Sequence, residues 1–369
     1  MGERKSQVEA VVIDMAFWRD RRVFLTGHTG FKGAWMALLL RSLGAEVNGF
    51  SLPPDNDRGL FIQAGVESDV DHTIGDIRDL PRLKSALAKA KPNVVIHMAA
   101  KSLVRPSYED PIDTYSTNVM GTVNLLEALR HVSYVAAVVI VTSDKCYENT
   151  ASTKGYCETD PMGGYDPYSS SKGCAEIVTA AYRRSFFQGA QQARIASARA
   201  GNVIGGGDWA RDRLVPDMMR AFVAGEVARI RNPSAVRPWQ HVMDPIMGYL
   251  MLAERLTRDG QAYCGGWNFG PPQDASVPVS LLVEKLAHGW GAGARWEVDS
   301  GDHPHEAAYL GLDSSKAEAR LGWRRPIGLD RALQLTVDWY RALDMGLDMR
   351  DFTQKQILEI VKAVPDGLH

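Results

Sequence analysis

Cysteine is scarce, with four in 369 residues. Cys146, Cys157, Cys174 and Cys264 never form a Cys-x-x-Cys pair, which excludes a disulfide scaffold and fits a reducing cytoplasm. Net charge is scarce as well. Lys and Arg total 42 against 44 Asp and Glu, a balance of -2 that leaves no global field for a polyanionic nucleic acid. No stretch approaches the roughly 20 apolar residues of a membrane span. Met1 to Ala16, charged at Glu3, Arg4, Lys5, Glu9 and Asp14, lack the apolar core of a signal peptide, so a cytoplasmic location is expected. Repeats and low-complexity tracts are missing. The histidines lack His-x-x-x-His spacing with a third ligand, and no catalytic metal is expected.

What remains is ordinary globular material, 45% hydrophobic and 23% charged, long enough for two cores or one large core with a lobe. From Arg22 onward short β-branched runs alternate with amphipathic stretches, the pattern of repeated βαβ units. Strands are expected at Val23–Thr26, Glu46–Phe50, Val70–Ile74, Val94–His97, Ala137–Thr142 and Arg194–Ala198, with helices at Ala34–Leu43, Leu80–Ala90, Pro111–His131 and Tyr168–Phe187. Apolar residues on both strand faces suit a parallel sheet covered on each side. The fold class is therefore α/β, a doubly wound parallel sheet with a smaller mixed α/β lobe. The lobe begins after Asn202, where Gly205, Gly206 and Gly207 run together and prolines and tryptophans multiply.

The segment TGHTGFKG, Thr26 to Gly33, follows the first strand and opens the first helix. Glycines at 27, 30 and 33 let the backbone approach a pyrophosphate at the helix N-terminus, so a dinucleotide site is expected. An acid about 20 positions later would grip the adenosine ribose. Here the second strand ends in Phe50, Ser51, Leu52 and Pro53; Asp55 and Asp57 follow, and Arg58 beside them suits a 2′-phosphate instead. NAD is expected over NADP.

Tyr168 and Lys172 in YSSSK share one helix face, where phenol and ammonium converge on one substrate hydroxyl. A nearby cation would stabilise the phenolate and lower the tyrosine toward working pH. Ser143, Asp144 and Lys145 in TSDKCYEN stand at the carboxyl end of the fifth strand, where ligands bind in such sheets, and add a hydroxyl, an acid and a base.

These motifs, with the His97–Pro111 segment, Asn118 in TNVMGT, RAGNVIGGGDW from Arg199 to Trp209 and RPWQHV from Arg237 to Val242, resemble the extended short-chain dehydrogenase/reductases of Rossmann type. Within them the likeness is to nucleotide-sugar 4,6-dehydratases, nearest the CDP-glucose 4,6-dehydratase group, from about Phe17 into the C-terminal region. Related dTDP-sugar enzymes resemble Thr-Asp-Glu where this chain reads Ser143, Asp144, Lys145.

The resemblance implies transient C4 oxidation of a nucleotide hexose such as CDP-glucose, loss of water across C5 and C6, and hydride return to C6, in deoxysugar biosynthesis for O-antigen or lipopolysaccharide. It implies Tyr168 as base, supported by Lys172 and Ser143; Asp144 as acid; and Lys145 as the C5 base or, if charged, the enolate stabiliser. NAD would be lined by Gly27, Thr29, Gly30, Phe31, Lys32, Gly33, Asp76, Ile77, Ala99, Ala100, Lys101, Asn118, Thr142, Tyr168 and Lys172. Ser102, Asn202, Arg213, Arg237, His305 and Tyr309 would meet the substrate. Residues 1–16 form an extension, 17–201 the NAD-binding domain with 239–270 returning to it, and 202–238 with 271–369 the nucleotide-sugar lobe. A homodimer or homotetramer is implied through the long helices near Pro111 and Tyr168, with neither nucleic acid nor membrane as partner. Alternatives are another nucleotide-sugar 4,6-dehydratase, a 4-epimerase, which needs no acid and base for elimination, and a non-catalytic NAD-binding regulator.

Overall fold

The computed structural model describes residues 13–150, 154–272, 275–301 and 310–363. The first half runs α1 (Met15–Trp18), β1 (Arg22–Thr26), α2 (Phe31–Ser42), β2 (Glu46–Ser51), α3 (Leu60–Gln63), β3 (Val70–Ile74), α4 (Leu80–Ala90) and β4 (Val94–His97). It continues through α5 (Val104–Glu109), α6 (Pro111–Tyr115), a π-turn (Ser116–Met120), α7 (Gly121–Leu129), β5 (Ala137–Val141), α8 (Pro167–Phe186) and β6 (Arg194–Ala200). Strands such as β5, Ala-Val-Val-Ile-Val and buried throughout, need apolar cover on both faces, and the helices supply it. Caps fix the helix starts. Asp79 accepts from Arg82 N at α4, Asp166 accepts from Ser169 N at α8, and each has proline in its first turn, where the missing N–H costs nothing.

The remaining elements are β7 (Asn202–Ile204), α9 (Leu214–Val223), β8 (Val227–Ile230), β9 (Val236–His241), α10 (Met243–Asp259), β10 (Gly265–Phe269), β11 (Ser276–Pro278), α11 (Val279–Trp290) and β12 (Arg295–Val298), then α12 (Ser315–Leu321), α13 (Leu329–Asp344) and α14 (Met349–Ala363). The main sheet has seven strands in the order β10-β6-β5-β4-β1-β2-β3, and every pair is parallel. The order reverses between β1 and β4. That is the switch point at which such sheets bind ligands. Small sheets β11-β9-β7 and β12-β8 build the lobe beside it.

One expectation changes. The helix expected over Pro111–His131 is broken by the π-turn, which buries Asn118 and lets it hold both Lys101 N (2.8 Å) and Lys101 O (3.0 Å); π-turns often mark such local demands. The glycine run that opens the lobe is set by packing: a Cβ at Gly206 would fall 1.9 Å from the Trp339 ring, and Gly207 has φ +82°. Strand β10 was not among the expected strands. Among the described residues no helix is long and apolar enough to cross a membrane.

Candidate active site

A cleft of about 1390 Å³ opens at the carboxyl ends of β1, β4 and β5 and runs into the lobe. One end is the glycine loop. A Cβ at Gly33 would lie 2.1 Å from Gly27 O, and one at Gly27, whose φ is +75°, would lie 2.7 Å from Ala99 N. Only hydrogens fit there. Gly30 caps α2 without a side-chain bond, which leaves the first-turn N–H groups to meet an anion. These residues fit a dinucleotide pyrophosphate.

Thr26 organises the opposite wall, accepting from Met98 N and Ala99 N at 3.1 Å each, so Ala99, Ala100 and Lys101 face the loop. No carboxylate ends β2; Ser51 Oγ instead lies 2.7 Å from Thr29 Oγ1. Asp55 lines the cleft, whereas the Arg58 guanidinium lies 4.5 Å above the Trp209 ring and is outside the lining. Asp76 also lines it and is bound by Arg78 at 2.6 Å, which reaches Asp113 at 2.7 Å; Lys101 meets Asp113 at 2.7 Å.

At the centre, α8 aims Tyr168 and Lys172 at the turn after β5. Ser143 hydrogen-bonds the Tyr168 phenol, and its hydroxyl donates to Asp144 Oδ1 at 2.8 Å. Lys145 Nζ lies 3.7 Å from the same carboxylate, with its side chain 31% exposed. A Cβ at Gly201 would approach Asp144 Oδ2 to 3.1 Å, so the chain beyond β6 presses directly on the acid. Lys172 Nζ donates to Val141 O at 3.5 Å.

The electrostatics differ from the simple cation picture. Burial dominates and pushes the Tyr168 phenol up to about 12, against the Ser143 hydrogen bond and the Arg213 charge, while the Asp144 and Asp166 carboxylates add to the rise. Burial also draws the Lys172 ammonium down to about 8. A second lysine of the cleft, the half-buried Lys32, is brought down further, to about 7, by desolvation and by the Arg213 and Lys172 charges, with Asp144 opposing. Lys32 Nζ reaches Tyr249 Oη at 3.4 Å. The sequence marked Lys32 only as a cofactor-lining residue, because its approach to Lys172 and Asp144 joins segments far apart in the chain.

Three imidazoles are buried outside the cleft lining. Burial takes His97 down to about 3, helped by the Lys172 charge, takes His241 to about 3, and takes His28 to about 4 with the charge of His72.

On the lobe side Ser102, Asn202, Arg213 and Arg237 line the cleft. Arg213 donates to Asp208 at 2.8 Å and to Ser102 at 3.0 Å, and its charge bears on Tyr168, so it sits at the reacting centre rather than beyond it. Asn118 is the one cofactor-lining candidate that does not face the cleft; it binds Lys101 and Ser171 from behind. His305 and Tyr309 lie outside the described residues. The sequence reading missed Glu176, buried one helical turn beyond Lys172, although the spacing of four was visible.

Comparison with known proteins adds to this geometry. The family model for GDP-mannose 4,6 dehydratase matches residues 24–336. A CDP-glucose 4,6-dehydratase of Salmonella typhimurium is 49% identical over 356 residues, 95% of this chain and 99% of the relative. A UDP-glucose 4-epimerase of Halalkalibacterium halodurans is 27% identical, covering 86% of this chain and 95% of that one. Among solved structures, the dTDP-glucose 4,6-dehydratase of Streptomyces venezuelae with NAD bound superposes with a TM-score of 0.74 at 24% identity, over 88% of this chain and 98% of that one. The Thermus thermophilus UDP-glucose 4-epimerase in complex with NAD gives 0.74 at 25% identity, over 87% and 99%.

Proposed function

Since the chain belongs to the GDP-mannose 4,6-dehydratase family, we propose that it is an NAD-dependent CDP-glucose 4,6-dehydratase, forming CDP-4-keto-6-deoxy-D-glucose and water. The observation that carries this reading is 49% identity over 95% of the chain to an enzyme of that activity. The grouping of Ser143, Asp144, Lys145, Tyr168 and Lys172 in one cleft supports it. Bound NAD supplies the acceptor for the C4 hydride and its return at C6, so the reaction is redox neutral.

The protein's residues handle the protons. Tyr168 takes the C4 hydroxyl proton, and the Lys172 and Arg213 charges stabilise the phenolate. From Tyr168 the proton passes through the Ser143 hydroxyl to Asp144, along the contacts already described. The C4 ketone acidifies C5, where Lys145 acts as the base. Asp144 then protonates the departing C6 hydroxyl, and the proton lost from C4 oxygen leaves in the water. Lys145 returns a proton to C5 once C6 has been reduced. Arg237 and Asn202 hold the diphosphate, with a guanidinium fork suited to its oxygens; Ser102 faces hexose hydroxyls.

We assign the protein to the cytoplasm as a homodimer or homotetramer. Apolar Ile112, Tyr115 and Met120 on the Pro111–Leu129 helical run and Ile177 and Phe186 on α8 are exposed, a surface suited to helix pairing between copies.

The test is ketosugar formation from CDP-, dTDP-, UDP- and GDP-glucose, with and without added NAD. CDP-glucose is expected to turn over best; a C4-inverted hexose with no ketosugar would overturn the reading in favour of epimerisation. Lys145→Ala with C4-deuterated substrate tests the base: water loss should fall, and unaltered water loss with unaltered deuterium delivery to C6 would refute its role.

A further inference from the structure

Glu176 is a buried carboxylate that the proton path does not use. It continues the Tyr168–Lys172 stripe along α8, since residues four apart stack on one helix face. Its two oxygens are fully engaged. Oε1 accepts from Thr142 Oγ1 at 2.5 Å, and Oε2 accepts from Ser197 Oγ at 2.6 Å and Arg199 Nη2 at 2.8 Å. Thr142 immediately precedes Ser143, while Ser197 and Arg199 belong to β6. One carboxylate therefore fastens α8 to the ends of β5 and β6. Arg199 carries the linkage outward: Nη1 donates to Tyr147 Oη at 2.5 Å, which donates to Asn268 Oδ1 on β10 at 2.8 Å. Glutamate and arginine are each 5% exposed, and a buried ion pair of this kind is a specific geometric lock only when its remaining donors and acceptors are met.

The charge of the same carboxylate bears on Lys172, four residues earlier on α8. The other titratable groups around that ammonium are Tyr168 on α8, Cys146 after β5, His97 on β4 and Lys32 on α2. His97 is neutral, Lys32 has largely released its proton by the pH at which Lys172 titrates, and burial pushes the Cys146 thiol well up so that it carries no charge at working pH. Glu176 is the anion of the set. Burial acts to raise its carboxyl, but Arg199 and the hydrogen bonds of Ser197 and Thr142 outweigh this and hold it below the usual range.

We propose that Glu176 is a positioning residue of the catalytic stripe, locking Ser143 against Tyr168 through Thr142 and supplying the negative charge that keeps Lys172 an ammonium. This rests on the dehydratase reading for its kinetic consequence, but its electrostatic consequence is measurable without turnover. The experiment compares wild type, Glu176→Gln and Glu176→Asp, saturated with NAD, by NMR titration of Lys172 in protein carrying ¹³C-labelled lysine, and by the pH dependence of kcat and KM for CDP-glucose.

In Glu176→Gln, Lys172 is expected to lose its proton about one pH unit lower than in wild type. The alkaline limb of kcat should move with it, with KM changing less than about threefold. Glu176→Asp keeps the charge but is one methylene short, so it should restore the titration while kcat stays about tenfold down. An unmoved Lys172 titration in Glu176→Gln overturns the electrostatic role, and a wild-type kcat in Glu176→Asp overturns the positioning role. If Glu176→Gln fails to fold, Glu176→Asp decides alone: a Lys172 titration displaced despite the retained carboxylate refutes the proposal. Absence of wild-type turnover with an intact titration shift would count against the dehydratase reading only.

Discussion

Replacing Lys32 with methionine should make the protein more stable at neutral and acidic pH. Lys32 is half-buried in the cleft near Arg213 and Lys172, and desolvation first, then those two charges, bring it from 10.5 to about 7. At ~1.4 kcal/mol per pH unit that displacement sets an upper bound of ~5 kcal/mol on the cost of the charge below pH 7, and water reaching the half-exposed side chain lowers it to ~2–3 kcal/mol. Loss of the 3.4 Å contact with Tyr249, worth ~1 kcal/mol, reduces the net gain for Lys32→Met to about 1–2 kcal/mol.

The sign follows from linkage. The unfolded lysine stays protonated up to about 10.5, whereas the folded one releases its proton from about 7, so the unfolded state binds more protons in that window and stability rises with pH there. Below the window the penalty is full; above it, none remains. Urea denaturation of both proteins at about pH 6 and about pH 9.5, without added nucleotide, reads the effect. The variant should have the higher midpoint at the acid end, with the gap closing at the alkaline end. A lower midpoint for Lys32→Met at the acid end, or a gap independent of pH, would refute the reasoning.

Other outcomes are equally direct. Tyr168→Phe should lower kcat by about 10²–10⁴-fold while NAD binding, read by calorimetry, is retained. Gly33→Ala places a methyl 2.1 Å from Gly27 O; pushing the loop away should cost ~1–3 kcal/mol, read as weaker NAD binding or a lower thermal midpoint. Ile112→Asp with Ile177→Asp, both on exposed helix surface, should shift sedimentation toward monomer without altering the far-ultraviolet circular dichroism.

Much of the sheet was legible because its strands are short apolar runs between turn residues. β3, β4 and α4 span the residues their patterns indicated, and β1 gains only Arg22. Strand β10 escaped because Gly265 and Gly266 dilute its apolar signal; the glycine at 266 is required since a Cβ there would strike the Arg199 guanidinium at 2.4 Å. The π-turn at Ser116–Met120 likewise has no local breaker. Its cause is tertiary, the demand of the Lys101 backbone for the Asn118 amide. In the cleft, motif residues were visible as clusters, but their charge states were not. Burial, which sets Tyr168, Lys172 and Lys32, comes from segments that meet only in the folded chain.

The silent imidazoles carry a consequence for how the cleft buffers protons. In most pockets histidine is the group that titrates near neutrality. Here His28, His97 and His241, buried outside the cleft lining, have discharged by about pH 4 or below, and the nitrogen bases that change state near neutral and mildly basic pH are two amines of the cleft, at about 7 and about 8. Acidification through neutrality therefore adds one positive charge to the cleft, at Lys32, and then no more until the imidazoles load, whereas alkalinity strips it of positive charge one amine at a time.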